Sequence, residues 1–291
     1  MANRTTSRRH RWSRRAVVGL ALGATAVMTA PTAAATTLDN IPGAEHCDTE
    51  GDPQGACVGV AINGGTFDNN GFQLPVKAGD MVLSVGFPAD GSGFTSTDTE
   101  NFGVYAKPMT VPGGVLGVDL PFDNLFGLAA VTAEVQAVEV PVMHDEIFDF
   151  NIDMPVRMKL DNAFLGDNCY LGSAESPVVF ELRGVRGGDL DPVYGVVGGP
   201  DYPEGTLQVT NVHTAAKDFA LPGATGCGPF GALNPIVNWR AKTPATTGTS
   251  LAVQATAYMY APGDLVATPS PEEPGGSGSA GSSGSSGSSG S

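Results

Sequence analysis

The chain has 291 residues, including 40 glycines, 22 prolines, 30 acidic and 15 basic residues, and a formal net charge of −15. The first 35 residues hold six of those bases, all arginine, and no acid, so the remainder sets 9 basic residues against all 30 acidic ones, a formal net charge of −21. Such a surface repels a phosphate backbone, and its bases are scattered pairs (Arg157 and Lys159, Arg183 and Arg186, Arg240 and Lys242), which argues against nucleic acid as a partner and for simple solubility outside a cell.

Residues 1–35 read as a cleaved export signal. Arg4, Arg8, Arg9, Arg11, Arg14 and Arg15 form a basic front, Ala16 to Ala30 an apolar stretch, and Ala33-Ala34-Ala35 a small-residue cleavage site. That stretch falls short of the roughly 20 apolar residues that span a bilayer as a helix, and no second one follows, so no integral membrane segment is expected after the signal is removed. "SRRAVVGLAL" partly fits a twin-arginine signal, and the general secretory route stays open.

From 36 to 266 the sequence predicts a single β-rich domain; a division into two sub-sheets near residue 150 stays open. "VGVAIN" and "MVLSVGF" supply two strands in the first half, and "AVTAEVQAVEVPV" a long one. In "DMPVRMKL", Met154, Val156, Met158 and Leu160 share a face opposite Pro155, Arg157 and Lys159. "PVVFELRG" is shorter. "TLQVTNV" places Leu207 and Val209 together, and "SLAVQATAYMY" aligns Leu251, Val253, Ala255, Ala257 and Met259. Turn formers such as "DNNG", "PADGSG" and "VPGGVLG" separate the strands. The best helical stretches, "NLFGLAA" and "GPFGALNPIVN", are short and bounded or interrupted by glycine or proline. The pattern predicts an all-β fold, an antiparallel sandwich or partly open barrel with short helical turns only. From 267 to 291 the chain is a Ser/Gly-rich tail with no large apolar residue, expected to be disordered.

Four cysteines in an exported chain form an even set. Cys47 and Cys57 flank a turn-rich loop that can close on itself, and Cys169 and Cys227 lie in separate glycine-flanked loops. The reading pairs Cys47 with Cys57 and Cys169 with Cys227, worth roughly 3 and 4 kcal/mol as upper values from chain entropy.

No residue is assigned a catalytic, cofactor-binding or metal-ligating role. A nucleophilic Cys169 needs a base, and beyond the signal only His46, His144 and His213 are present. Zinc spacings are missing. Ser173 with His213 and an aspartate makes a triad on paper only, with a turn hydroxyl and a strand-closing polar residue as the plainer readings. Asp145, Glu146, Asp149 and Asp153 offer a loose calcium site, and Asp189 with Asp191 a similar one. An EF-hand is ruled out because Met154 and Leu160 stand where glycine and a bidentate glutamate are required.

"MPVRMKLDNAFLGDNCYLGSAESPVVFEL", "FALPGATGCGPFGALNPIVN" and "SLAVQATAYMYA" together resemble a group of exported actinobacterial proteins of unknown function. The likeness rests on Leu160-Asp161-Asn162, Leu165-Gly166, Cys169-Tyr170, Gly172-Ser173, Pro222-Gly223-Ala224, Gly226-Cys227-Gly228 and Pro235 to Asn238. It implies secretion and a common fold, strengthens the pairing of Cys169 with Cys227, and carries over no catalytic residue.

The expected function is non-catalytic. An exported, extracellular or envelope-associated protein would bind a cell-envelope component or extracellular partner through its β surface or loops. Two alternatives are a secreted ester-type hydrolase, with a hydroxyl beside His144 or His213, and a carrier of an apolar small molecule. The carrier reading expects a cavity lined by residues such as Met154, Met158, Met259 and Phe180.

Overall fold

The computed structural model describes residues 40–47, 55–114, 130–199 and 202–261. The expected export signal, the Ser/Gly-rich tail and nearly all of "NLFGLAA" lie outside the described residues. The fold is all-β, as the alternation predicts. Among the described residues, fourteen strands pair antiparallel into one continuous sheet that does not close on itself.

One group of strands centres on β1 (Ala56–Asn69) and β14 (Thr249–Tyr260), paired along nearly their whole length. The other edge of β1 is shared by β2 (Phe72–Lys77) and β3 (Met81–Phe87), and β4 (Val104–Ala106) follows β3. The other edge of β14 pairs with β12 (Thr206–Lys217), which carries β11 (Val193–Val197) at its far side.

The second group is built on β8 (Asn151–Asp161). One of its edges holds β6 (Thr132–Ala137) and β7 (Val142–His144), with β5 (Met109–Thr110) outside β6. The other edge holds β9 (Tyr170–Leu171), extended by β13 (Ala224–Thr225), and β10 (Val178–Gly184). β10 joins the groups: Val178 to Leu182 pair with β8, whereas Arg183 and Gly184 pair with β12. A strand that changes partners in this way turns a sheet back over itself. One apolar cluster then draws Phe67 and Leu74 from the first group and Val156, Met158 and Phe180 from the second.

Strand alternation is kept where it is needed. Met154, Val156, Met158 and Leu160 of β8 are all buried, as are Leu251, Val253, Ala255 and Ala257 of β14. Three details differ from the sequence reading. Pro155, expected outside, is buried as well. The single long strand expected over "AVTAEVQAVEVPV" is broken, β6 ending at Ala137 and β7 beginning at Val142. In β12 the register shifts between Val209 and Val212, with Asn211 at φ 58°, so that Val212 joins Val209 in the core and the strand runs on through His213 to Lys217. A bulge inserts a residue and thereby resets which side chains face inward.

"GPFGALNPIVN" folds as a 3-10 turn, Pro229–Gly231, followed by the helix α1 (Asn234–Ala241). Pro235 stands in its first turn, where a missing N–H costs nothing. Lys242, in the left-handed region, ends it.

Candidate functional site: an apolar cavity under a short helix

The two groups of strands do not fill the space between them. A cavity of about 580 Å³ lies there. Phe67, Phe72 and Leu74 of the β1–β2 hairpin line one side, and Val131, Ala133, Met158, Leu160 and Leu171 of the second group line the other. Ala163, Phe164 and Leu165 come from the loop after β8, and Leu233, Ile236, Val237 and Ala241 from α1. Phe164 and Ile236, which line the cavity, are 58% and 49% exposed. Small-molecule sites commonly measure about 300 to 1,000 Å³ and are mostly apolar. Water inside such a lining finds few partners.

The sequence builds this site by tying α1 down at both ends. At its start, the Cys169–Cys227 disulfide, with Cα atoms 4.2 Å apart, joins the loop after β8 to the segment before the helix. The Asn234 side chain accepts from the Cys227 N–H at 2.9 Å, and Leu165 O accepts from the Gly228 N–H at 2.6 Å. Asn238 Oδ1 accepts from the Ala224 N–H at 2.6 Å and from the Thr243 hydroxyl at 2.8 Å. Gly226 is required: its φ is 70°, and a Cβ there would collide with the Asn168 carbonyl oxygen. At the helix C-terminus, the fully buried Asn69 donates to Ala241 O and Lys242 O at 2.7 and 3.0 Å, satisfying carbonyls that the helix leaves open. The Lys242 ammonium donates to Asn70 O. Asn162 Nδ2 holds Ala130 O at 2.6 Å while its Oδ1 accepts from the Phe164 N–H, which sets the loop bearing Phe164 and Leu165. The residues that carry the resemblance, Asn162, Leu165, Cys169, Gly223-Ala224, Gly226-Cys227-Gly228 and Pro235 to Asn238, are thus largely the framework of one cavity wall.

Of the four residues expected to line a carrier's cavity, only Met158 does so. Met154 and Phe180 are core, Phe180 packing edge-on against Phe219 with ring centroids 5.0 Å apart, and Met259 borders a void of about 30 Å³ elsewhere. Much of the lining comes from the hairpin and the helix, whose apposition no strand periodicity reveals.

The other candidate residues are held in structural contacts. Cys47–Cys57 and Cys169–Cys227 are the two disulfides, and no cysteine among the described residues is free. His144 Nε2 lies 2.8 Å from Asp153 Oδ2, and Arg183 donates to Asp153 Oδ1 at 2.7 Å. Partial burial raises the Asp153 carboxyl pKa, but the hydrogen bonds from Arg183 and His144 outweigh it and hold the group below the usual carboxylate range. His213 Nε2 lies 3.0 Å from Asn211 Oδ1. Ser173 Oγ accepts from the Ser176 N–H at 3.1 Å, closing a turn. Neither histidine bonds a hydroxyl among the described residues.

The acidic residues do not converge. Asp145 accepts from Asn151, Asp149 pairs with Arg186, and Asp191 accepts from the Gly187 N–H, while the Asp189 and Asp191 carbonyls take Asn211. No group of three or more His, Cys, Asp or Glu side chains that could hold a metal ion occurs among the described residues. Nor is any helix among them long and apolar enough to cross a membrane. The two disulfides fit an oxidising compartment.

Set against known proteins, the chain matches no family model, no curated protein and no solved structure.

Proposed function

We propose that this protein is an exported, non-catalytic carrier that takes an apolar small molecule of the cell envelope or its surroundings into the cavity beneath α1. One observation carries the reading: a space of about 580 Å³ with an almost wholly apolar lining among the described residues, two of whose members, Phe164 and Ile236, are exposed. Export is supported by the basic and apolar character of residues 1–35 and by the two disulfides. The resemblance to exported actinobacterial proteins fits the same setting.

Binding on the outer surface is the second reading, and it rests on β11. Among the described residues that strand pairs with β12 alone, and it leaves Val193, Tyr194 and Val196 exposed.

A neutral fluorescent probe, Nile red, separates the two. Titrated into the full chain, it should bind saturably at one site and be displaced by 1-dodecanol. Ala133→Phe, which pushes a ring into the cavity, should weaken binding by about tenfold, or about 1.4 kcal/mol. Probe binding untouched by this substitution would move the site to the surface, and no saturable binding at all would sink the carrier reading.

A further inference from the structure

The cavity lining contains one charged side chain among the described residues, Arg240, in the last turn of α1. Acidic residues outnumber basic ones two to one, 30 against 15, and Arg183 and Arg186 each have a carboxylate partner, yet Arg240, like Arg157, pairs with none among the described residues; Arg157 Nε at least donates to Gln136 Oε1 at 3.1 Å.

Two neutral contacts hold the Arg240 guanidinium. Its carbon lies 5.1 Å from the centroid of the Phe72 ring, and Nη2 donates to Pro112 O at 2.7 Å. These fix the group's plane and position without neutralising its charge. The Nε–H is shielded from solvent and meets no acceptor among the described residues. A buried donor left without an acceptor is uncommon and costly in a native protein.

We infer that the cavity takes an amphiphile with an anionic head, a carboxylate or phosphate monoester whose oxygens accept from Arg240 while its hydrocarbon chain lies against Phe67, Leu74 and Leu160. The inference rests on the carrier reading and narrows it to a ligand class. The charge-assisted bond to the head is short and directional, and the ring face of Phe72 keeps the fork oriented to receive it. A neutral amphiphile of equal length gains the same apolar burial and can set a hydroxyl oxygen against the guanidinium, but it forms only the weaker bond of an uncharged acceptor. A free inorganic anion gains the bond but leaves the cavity empty.

The test uses displacement of Nile red from the full-length protein by four competitors: dodecanoate, dodecyl phosphate, 1-dodecanol and inorganic phosphate. The two anionic amphiphiles, or one of them, should bind about tenfold or more tighter than 1-dodecanol, and inorganic phosphate should not compete. Which of the two is tighter identifies the head. In Arg240→Gln the anionic preference should vanish, the ratio of dodecanoate or dodecyl phosphate affinity to 1-dodecanol affinity falling to about one whatever the absolute affinities. If Arg240→Gln loses all binding, Arg240→Lys decides, because it retains the charge: a retained anionic preference upholds the assignment, and its loss overturns it. Equal binding of dodecanoate, dodecyl phosphate and 1-dodecanol by the native protein also overturns it and leaves the carrier reading standing. Binding of none of the amphiphiles removes the carrier reading itself.

Discussion

At the residue scale, the hydrogen bonds that shape the loops are also where acidity acts. Asp98 accepts from the Glu100 and Asn101 N–H groups at 2.8 and 2.9 Å, from the Asn101 side chain at 2.9 Å and from the Tyr105 hydroxyl at 3.0 Å. These bonds, that from the Asn101 side chain foremost, hold the Asp98 carboxyl at about 2, below its ordinary 3.8. A depressed carboxyl contributes stability that is full above its ordinary value and is lost as pH falls towards the folded one. Asp98→Ala should therefore melt at a lower temperature than the native protein at pH 7, and the gap between their thermal midpoints should close between about pH 4 and pH 2. An equal gap at both ends of that range would contradict this account. Strand β4, which follows this loop, presents Tyr105, whose ring stacks on His46 with centroids 3.7 Å apart. Among individual residues, the four cysteines were legible in the sequence because an even set in an exported chain has few other uses. Arg240 was not, since a base paired in sequence with Lys242 looks like ordinary surface charge. The nearest signal is the spacing of Leu233, Val237 and Ala241 with Ile236 and Arg240, which puts an arginine beside the apolar face of a helix.

At the scale of elements, α1 is a helix of eight residues, too short to persist on its own. Its stability comes from Asn69 at one end and from Cys169–Cys227 at the other. The two disulfides therefore have separable consequences. Replacing Cys169 and Cys227 together by alanine should cost about 2 to 5 kcal/mol in denaturant unfolding and should also weaken Nile red binding. Replacing Cys47 and Cys57 should cost stability while leaving probe affinity near native. Equal losses of affinity from both would show that the staple beside the helix has no special tie to the cavity. Strand β8 could be read directly because one of its faces is buried along the whole length that alternates. The continuation of β12 past His213 could not, because a bulge has no signature in hydrophobic period, and it is Asn211, a residue tolerant of positive φ, that lets Val212 turn inward.

At the scale of the whole molecule, the all-β class followed from strand length and turn chemistry, but the order of the strands did not, since period two identifies a face and never a neighbour. The turning point is Gly184, at the end of β10, where a Cβ would collide with the Asp149 carbonyl oxygen. Gly184→Val should lower stability by about 2 kcal/mol or more in urea unfolding, because the strand could pass from β8 to β12 only by displacing that backbone. A valine tolerated at native stability would show that the crossing is looser than this packing implies. The long pairing of β1 with β14 has a further effect on how the protein is made. Cys57 lies opposite Tyr260 and Asn69 opposite Thr249, so a strand near the beginning of the chain waits for one near its end. During synthesis the earlier strand has no permanent neighbour along that edge until β14 has emerged, so this pairing forms by a slow, non-local route.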